Sequence, residues 1–301
     1  MTQIGNLSGR LVLVTDDGAI DVEKASSGRF GSDPQAVYGR WAEFREWAAG
    51  VSTSEAVAFR KEDLGSPAPR PGQVFAIGAN YRDHAEEGGM EVPEWPLIFT
   101  KFPSSITGPY REIELPSGVV DWEVELVFVM GKTARNVPAA KAWEYIAGVT
   151  IGQDLSEREV QMRGQLPQMG LGKSLPDFSP MGPFLVTPDS FDDPDDLEIG
   201  CTVDGETVQS ARTKDLLFSV SAIVELLSAL VPLEPGDVVW TGTMGGVGMA
   251  RKPPRFLEPG QELVSRIEGI GEMRHTFSGD ITEESRRKDI DAVIEHMKRL
   301  V

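Results

Sequence analysis

Cysteine occurs once in 301 residues, at Cys201, so neither an intramolecular disulfide nor a cysteine-based zinc cluster is available. Histidine is nearly as scarce. His84, His275 and His296 are too few for a multi-histidine metal site. No stretch approaches the roughly 18 continuous apolar residues of a membrane span. The N-terminus shows no basic region leading into an apolar core, so the expectation is a soluble, cytoplasmic protein with no membrane partner. Positive charge is short too: 29 Lys and Arg face 47 Asp and Glu, a net charge of -18 and a pI near 4.6. Such a chain repels phosphate backbones, which excludes nucleic acid as a partner.

Several catalytic signatures are also missing. There is no Gly-x-Ser-x-Gly elbow, no His-Glu-x-x-His pair, and no Gly-x-Gly-x-x-Gly between a strand and a helix. Gly172-Lys173-Ser174 looks like the end of a phosphate loop, but the glycine required five positions earlier is Pro167. The acidic run from Asp189 to Glu198 lacks the spaced ligands and central glycine of an EF-hand and reads as a solvated loop.

What remains is a globular composition, 40% hydrophobic and 25% charged, long enough for one large domain with a small companion. Residues 1–65 read as a small N-terminal α+β domain. In it, Leu11–Val14 and Ile20–Val22 form a hairpin about Asp17-Gly18, and a helix starting near Ser32-Asp33-Pro34 carries Trp41, Phe44 and Trp47 on one face. The proline-rich stretch 66–72 reads as a linker. Residues 73–278 mix strands and helices without regular alternation: Leu197, Ile199, Cys201 and Val203 alternate as a strand up to a turn at Asp204-Gly205, and a helix runs from Asp215 to Leu230. Residues 279–301 form a helical tail that runs to about Leu300. The fold class is α+β.

The chemistry concentrates in Asp121-Trp-Glu-Val-Glu-Leu-Val-Phe-Val-Met130. As a strand, it turns Val124, Leu126, Phe128 and Met130 into a core and puts Glu123 and Glu125 on the other face with Val127 and Val129. Two carboxylates about 7 Å apart on one strand face repel unless water or a cation separates them. A wet edge strand and a cation site both answer to this pattern. Asp154 adds a third carboxylate, in a turn between the strand Ile146–Ile151 and a helix over 154–163 that Ser156 and Glu159 would cap. Three oxygen ligands suit Mg²⁺ or Mn²⁺ first and Ca²⁺ after them. On that helix Arg158, Gln161 and Gln165 share a face, where a guanidinium would clamp a substrate carboxylate or simply meet solvent. His84 and Glu87 stand three apart on a short helix between glycines, a spacing that lets the carboxylate orient the imidazole.

Together these segments resemble the fumarylacetoacetate hydrolase family. The resemblance rests on Gly78-x-Asn-Tyr-x-x-His84-x-x-Glu87, Glu123-x-Glu125, Asp154-x-x-x-Arg158-x-x-Gln161 and Gly172-Lys173-Ser174. It extends to Asp204-Gly-Glu with Gln209 and Thr213, and to Thr241-Gly-Thr243. It runs from about Gly72 to Phe277 and departs at Met244, where the family usually has proline, and in the tail beyond residue 278. It implies a mixed β-sheet roll, a homodimer, and one divalent ion per subunit on Glu123, Glu125 and Asp154. Arg158, Gln161, Lys173 and Thr243 would hold a small 2-oxo acid. His84 and Glu87 would form a dyad on a lid, and Lys173 would add positive charge beside the reacting group.

The expected activity is hydrolytic C–C cleavage of an acylpyruvate-like or 2,4-dioxo acid through a metal-stabilised enolate, with the dyad activating water. Oxaloacetate decarboxylation, and isomerisation or hydration of 2-hydroxy-dienoate diacids from aromatic catabolism, are the alternatives on the same core. A metal-stabilised binding protein with a decayed site is the non-enzymatic one.

Overall fold

The computed structural model describes residues 2–164 and 166–298, so Gln165 and the end of the tail at Leu300 lie outside the described residues. Two sheets pack face to face. Along the larger one the strands run Gly18–Asp21, Arg10–Thr15, Gln3–Leu7, Ser179–Val186, Ile146–Gln153, Val124–Met130, Val238–Trp240, Val74–Gly78 and Leu97–Thr100. Neighbours are antiparallel except Val238–Trp240 and Val74–Gly78, which run parallel. The smaller sheet orders Glu206–Arg212, Glu198–Val203, Glu262–Ile267, Gly271–Ser278 and Tyr110–Glu114.

Val124–Met130 lies inside the larger sheet and is buried along its whole length. Its alternation separates two cores. Val124, Leu126, Phe128 and Met130 pack with Ile199, Val203, Leu263 and Met273 of the smaller sheet. Val127 and Val129 pack on the opposite side with Tyr38, Trp41, Phe44 and Trp240. The period-two reading therefore holds, and the second face is covered by the helix Trp41–Ala48 rather than by solvent.

The N-terminal segment continues the larger sheet: Gln3 and Ile4 pair with Val186 and Leu185. The expected hairpin forms, but it turns at Asp16-Asp17 rather than Asp17-Gly18, since Gly18 already pairs with Thr15; Val22 leaves the strand to open a short helix, Val22–Ala25, capped by Asp21. In the stretch read as a linker, Ser66 and Ala68 are buried, Asn6 Nδ2 donates to the Ser66 carbonyl, and the Tyr38 hydroxyl donates to that of Pro67.

Three helix starts fall later than the sequence suggests. The helix expected from Ser32-Asp33-Pro34 opens as a 3₁₀ turn, Ala36–Arg40, and becomes α-helical only over Trp41–Ala48. Ser156 and Glu157 pair as a strand with Asp121 and Val120, so the helix is Arg158–Met162 and Glu157, not Ser156, caps it by accepting from the Val160 amide. The helix expected from Asp215 begins at Val220, where the Ser219 hydroxyl accepts from the Ala222 amide. The tail forms a helix, Glu283–Lys298. Among the described residues no helix is long and apolar enough to cross a membrane.

His275 is fully buried in the smaller sheet; its Nε2 faces the Gly108 carbonyl at 3.2 Å and its Nδ1 has no hydrogen-bond partner. Burial lowers its pKa from 6.5 to about 4. The unfolded chain therefore takes up this proton below pH 6.5, while the folded chain resists until about pH 4. Stability is full above the upper limit and falls as pH drops through that window, by on the order of 3 kcal/mol. His275→Gln keeps a donor for Gly108 and removes the titration. Thermal melts between pH 6.5 and 4 should then show a shallower decline than the parent protein, and an equal decline would refute the assignment.

Candidate active site

Strand register builds the acidic cluster. Val124 lies opposite Gln153 and Glu125 opposite Gly152, so Glu123 meets Asp154 just beyond the paired segment. The Asp154 amide donates to the Glu123 carbonyl at 2.8 Å, and the Gln153 side chain accepts from the Glu123 amide at 2.9 Å. The pleat then projects Glu123, Glu125 and Asp154 to one side. All three are buried, and each offers an oxygen within 4.8 Å of those of the others.

Three buried cations face them. Lys173 Nζ donates to Glu123 Oε2 and Asp154 Oδ2 at 2.7 Å each and to Ser156 Oγ at 2.8 Å. Lys101 Nζ donates to Asp154 Oδ1, lies 3.0 Å from the Phe178 carbonyl and sits over the Trp240 ring. Arg158 directs Nε and Nη2 to Asp121 Oδ2, pairs with Glu123 Oε1 at 2.8 Å and gives Nη1 to Gln161 Oε1.

This hydrogen-bonding pattern sets the protonation. Burial opposes charge on Glu123, but Lys173 and Arg158 outweigh it and hold the carboxyl down to about 2. Glu125 goes the other way. Burial, with Asp154 and Glu123 beside it, pushes its carboxyl well above the ordinary range despite the Gly242 amide on Oε2. Burial also lowers Lys101, whereas on Lys173 the carboxylates overcome burial and raise it.

His84 and Glu87 lie on the helix Arg82–Glu87, with Nδ1 2.8 Å from Oε1. Glu87 Oε2 accepts from the Gly246 amide at 2.8 Å, which ties this helix to the loop after Thr243. The tautomer with its proton on Nδ1 donates to Glu87 and leaves Nε2 as the acceptor nitrogen.

One cavity of about 340 Å³ gathers His84, Glu87, Glu123, Glu125, Arg158, Gln161, Lys173 and Thr243. Asp154 stands behind its surface, fully buried. The Thr243 hydroxyl donates to the Val124 carbonyl and accepts from Gln209 Nε2, so it is committed to the scaffold. At the departing position, Met244 is buried and its carbonyl accepts from the same Gln209 amide. Gly172 has a steric role: a Cβ there would lie 2.8 Å from the Glu157 carbonyl, so only glycine lets the Lys173 segment press on the helix Arg158–Met162. Ser174 Oγ accepts from the Phe102 amide, which completes a non-phosphate role for the Gly-Lys-Ser triplet.

Two residues of the cluster escape the sequence reading. Asp121 extends the odd-numbered alternation of Glu123 and Glu125 by one step, a signal that was there to be used. Lys101 lies in Ile98-Phe-Thr-Lys101-Phe-Pro, where only its apolar neighbours mark it.

Asp121, Glu123, Glu125 and Asp154 carry four carboxylates against the three cations Lys101, Lys173 and Arg158. A buried all-oxygen cluster left one positive charge short suits a hard divalent cation, which a substrate monoanion would then bring to neutrality. The residues therefore fit such an ion.

An acidic pocket of this kind at the end of a two-sheet roll defines a class, and the comparisons give the family. The family model for the C-terminal part of fumarylacetoacetate (FAA) hydrolase matches residues 73–278, more than two thirds of the chain. The chain belongs to the fumarylacetoacetate hydrolase family. It is 47% identical over 208 residues to the Homo sapiens protein named oxaloacetate tautomerase FAHD2A, mitochondrial, covering 68% of this chain and 66% of that protein. It thus spans just under two thirds of that relative's length. Among solved structures it is similar to fumarylacetoacetate hydrolase from the psychrophilic Exiguobacterium antarcticum, with a TM-score of 0.81 and 32% identity over 93% of this chain and 100% of that one. It is also similar to the 2-hydroxyhepta-2,4-diene-1,7-dioate isomerase of Mycobacterium marinum, with a TM-score of 0.70 and 28% identity over 93% and 99%. The α+β roll expected from sequence is the fold these neighbours share.

Crowding of the three carboxylates generates a prediction with opposite signs for stability and binding. Glu125→Gln removes the like charge that burial penalises most, so the melting temperature without metal should rise. The further rise on adding Mg²⁺ should disappear. A variant that still gains stability from Mg²⁺ as the parent does would exclude Glu125 as a ligand.

Proposed function

We propose that the chain is a divalent-metal-dependent enzyme acting on a small 2-oxo acid, and that its reaction is hydrolytic C–C cleavage of an acylpyruvate-like or 2,4-dioxo acid. The observation that carries this is the buried trio Glu123, Glu125 and Asp154, of which Glu123 and Glu125 line the same cavity as the His84–Glu87 pair. Glu123, Glu125 and Asp154 would hold Mg²⁺ or Mn²⁺, and the ion supplies Lewis-acid polarisation of the 2-oxo group and charge balance for the enolate.

The chain's own residues do the rest. Glu87 holds the imidazole by Nδ1, and His84 Nε2 takes a proton from a water that attacks the distal carbonyl. Collapse of the tetrahedral adduct breaks the C–C bond, releases the distal acid and leaves its electron pair as the pyruvate enolate. The Lys173 ammonium adds positive charge beside that enolate, and His84 returns the proton to carbon. Arg158, with its donors committed to Asp121, Glu123 and Gln161, fixes Glu123 and Gln161 in place. Among the described residues Gln161 Nε2 donates only to the Met169 thioether, a weak acceptor that a substrate carboxylate readily replaces. Thr243 shapes the cavity from its fixed position. Exposed Trp95, Phe102 and Leu171 offer apolar surface for a homodimer.

A second reading has its own support, the human relative named for oxaloacetate tautomerisation. There His84 would move one proton between carbon and oxygen of the same enolate, with no water consumed.

Acetylpyruvate offered with Mg²⁺ should give pyruvate and acetate by mass, and EDTA should stop the reaction. Intact acetylpyruvate, together with fast keto–enol exchange of oxaloacetate, would replace hydrolysis by tautomerisation. His84→Ala should lower turnover by about 10²–10⁴-fold while the Mg²⁺-induced thermal shift persists. Loss of that shift would make His84 a ligand instead of a base.

A further inference from the structure

Five of the chain's ten methionines, Met90, Met162, Met169, Met249 and Met297, line the cavity that holds the acidic cluster. Methionine is unbranched and polarisable, so a wall rich in it accommodates apolar groups of varied shape. Met297 belongs to the helix Glu283–Lys298, which lies outside residues 73–278 matched by the family model. Met249 joins it in a separate apolar cluster with Val119, Phe256, Ile290 and the fully buried Val293.

That helix is firmly seated. Asp289 Oδ2 accepts from the Gly118 amide at 2.9 Å, and Arg286 Nη2 donates to the Leu257 carbonyl at 3.0 Å. A Cβ on Gly118 would lie 2.8 Å from Arg286 Cα, so the helix rests directly on the backbone there. The helix also packs against Arg158–Met162, the element that carries Arg158 and Gln161. Meanwhile the only Lys or Arg side chains among the described residues lining the cavity are Arg158 and Lys173, both paired with the acidic cluster. A second carboxylate at the far end of a substrate would meet methionines and no free cation.

We infer that the C-terminal helix makes this site selective for 2-oxo acids with one carboxylate and an apolar alkyl or aryl tail, with Met297 and Met249 determining that specificity. The inference rests on the 2-oxo acid reading of the site and excludes diacids as preferred ligands.

The test is isothermal titration of the full chain in Mg²⁺ with pyruvate, 2-oxooctanoate and 2-oxoadipate, none of which has a second carbonyl to be cleaved. Each methylene that enters the cavity should tighten binding by about fourfold. 2-Oxooctanoate should bind at least about tenfold more tightly than 2-oxoadipate. Met297→Ala should shrink the affinity ratio of 2-oxooctanoate to pyruvate severalfold, and Met249→Ala, on the same wall but off the helix, should do the same if the first variant fails to fold. A diacid that matches the alkyl acid, or a ratio unmoved in a folded variant, overturns the inference and leaves the 2-oxo acid reading standing. Absence of binding by pyruvate and both longer acids overturns that reading and the inference with it.

Discussion

Everything at this site depends on one antiparallel pairing. Because Val124–Met130 runs beside Ile146–Gln153 in a register that sets Glu123 against Asp154, three carboxylates reach the same buried volume. Burying like charges together is costly, and the surrounding structure is organised to offset it. Lys101 arrives from the edge strand and Lys173 from a loop pressed onto a helix by Gly172. Arg158 comes from that helix, braced by Asp121. Each cation satisfies a carboxylate and is held by it in turn, so the cluster is a network whose members lock one another's geometry.

Much of this was legible in the sequence, for physical reasons. Alternation in the Glu123-x-Glu125 strand survives into the structure because both of its faces are buried, which leaves side-chain direction no freedom. The strand Glu198–Val203 and its Asp204-Gly turn were readable from one buried face, Ile199, Cys201 and Val203, alternating with less buried positions. The 158–162 helix was not. Ser156 followed by Glu159 satisfies the local rule for a capping box, yet long-range pairing with Asp121 claims that backbone first and hands the cap to Glu157. Lys101 was invisible because its partners, Asp154 and Phe178, lie 53 and 77 residues away.

Gln209 wires the smaller sheet to the acidic cluster and the loop beside it. Gln209 accepts from the Val124 amide, and its own amide donates to Thr243 Oγ1 and to the Met244 carbonyl. One residue thus joins the second sheet, the carboxylate-bearing strand and the Thr-Gly-Thr loop, which is how a fold of two sheets fixes that loop beside the acidic cluster.

The two oxygens of Glu87 divide their attention, one to the imidazole of His84 and one to the amide of Gly246. Undocking the short helix would break the second bond and free the carboxylate to rotate away from the ring, so the imidazole would lose its orientation in the same motion that admits bulk water. Under the proposed 2-oxo acid chemistry, reactivity and enclosure would share one conformational coordinate, and a site opened by undocking this helix would carry an unoriented base.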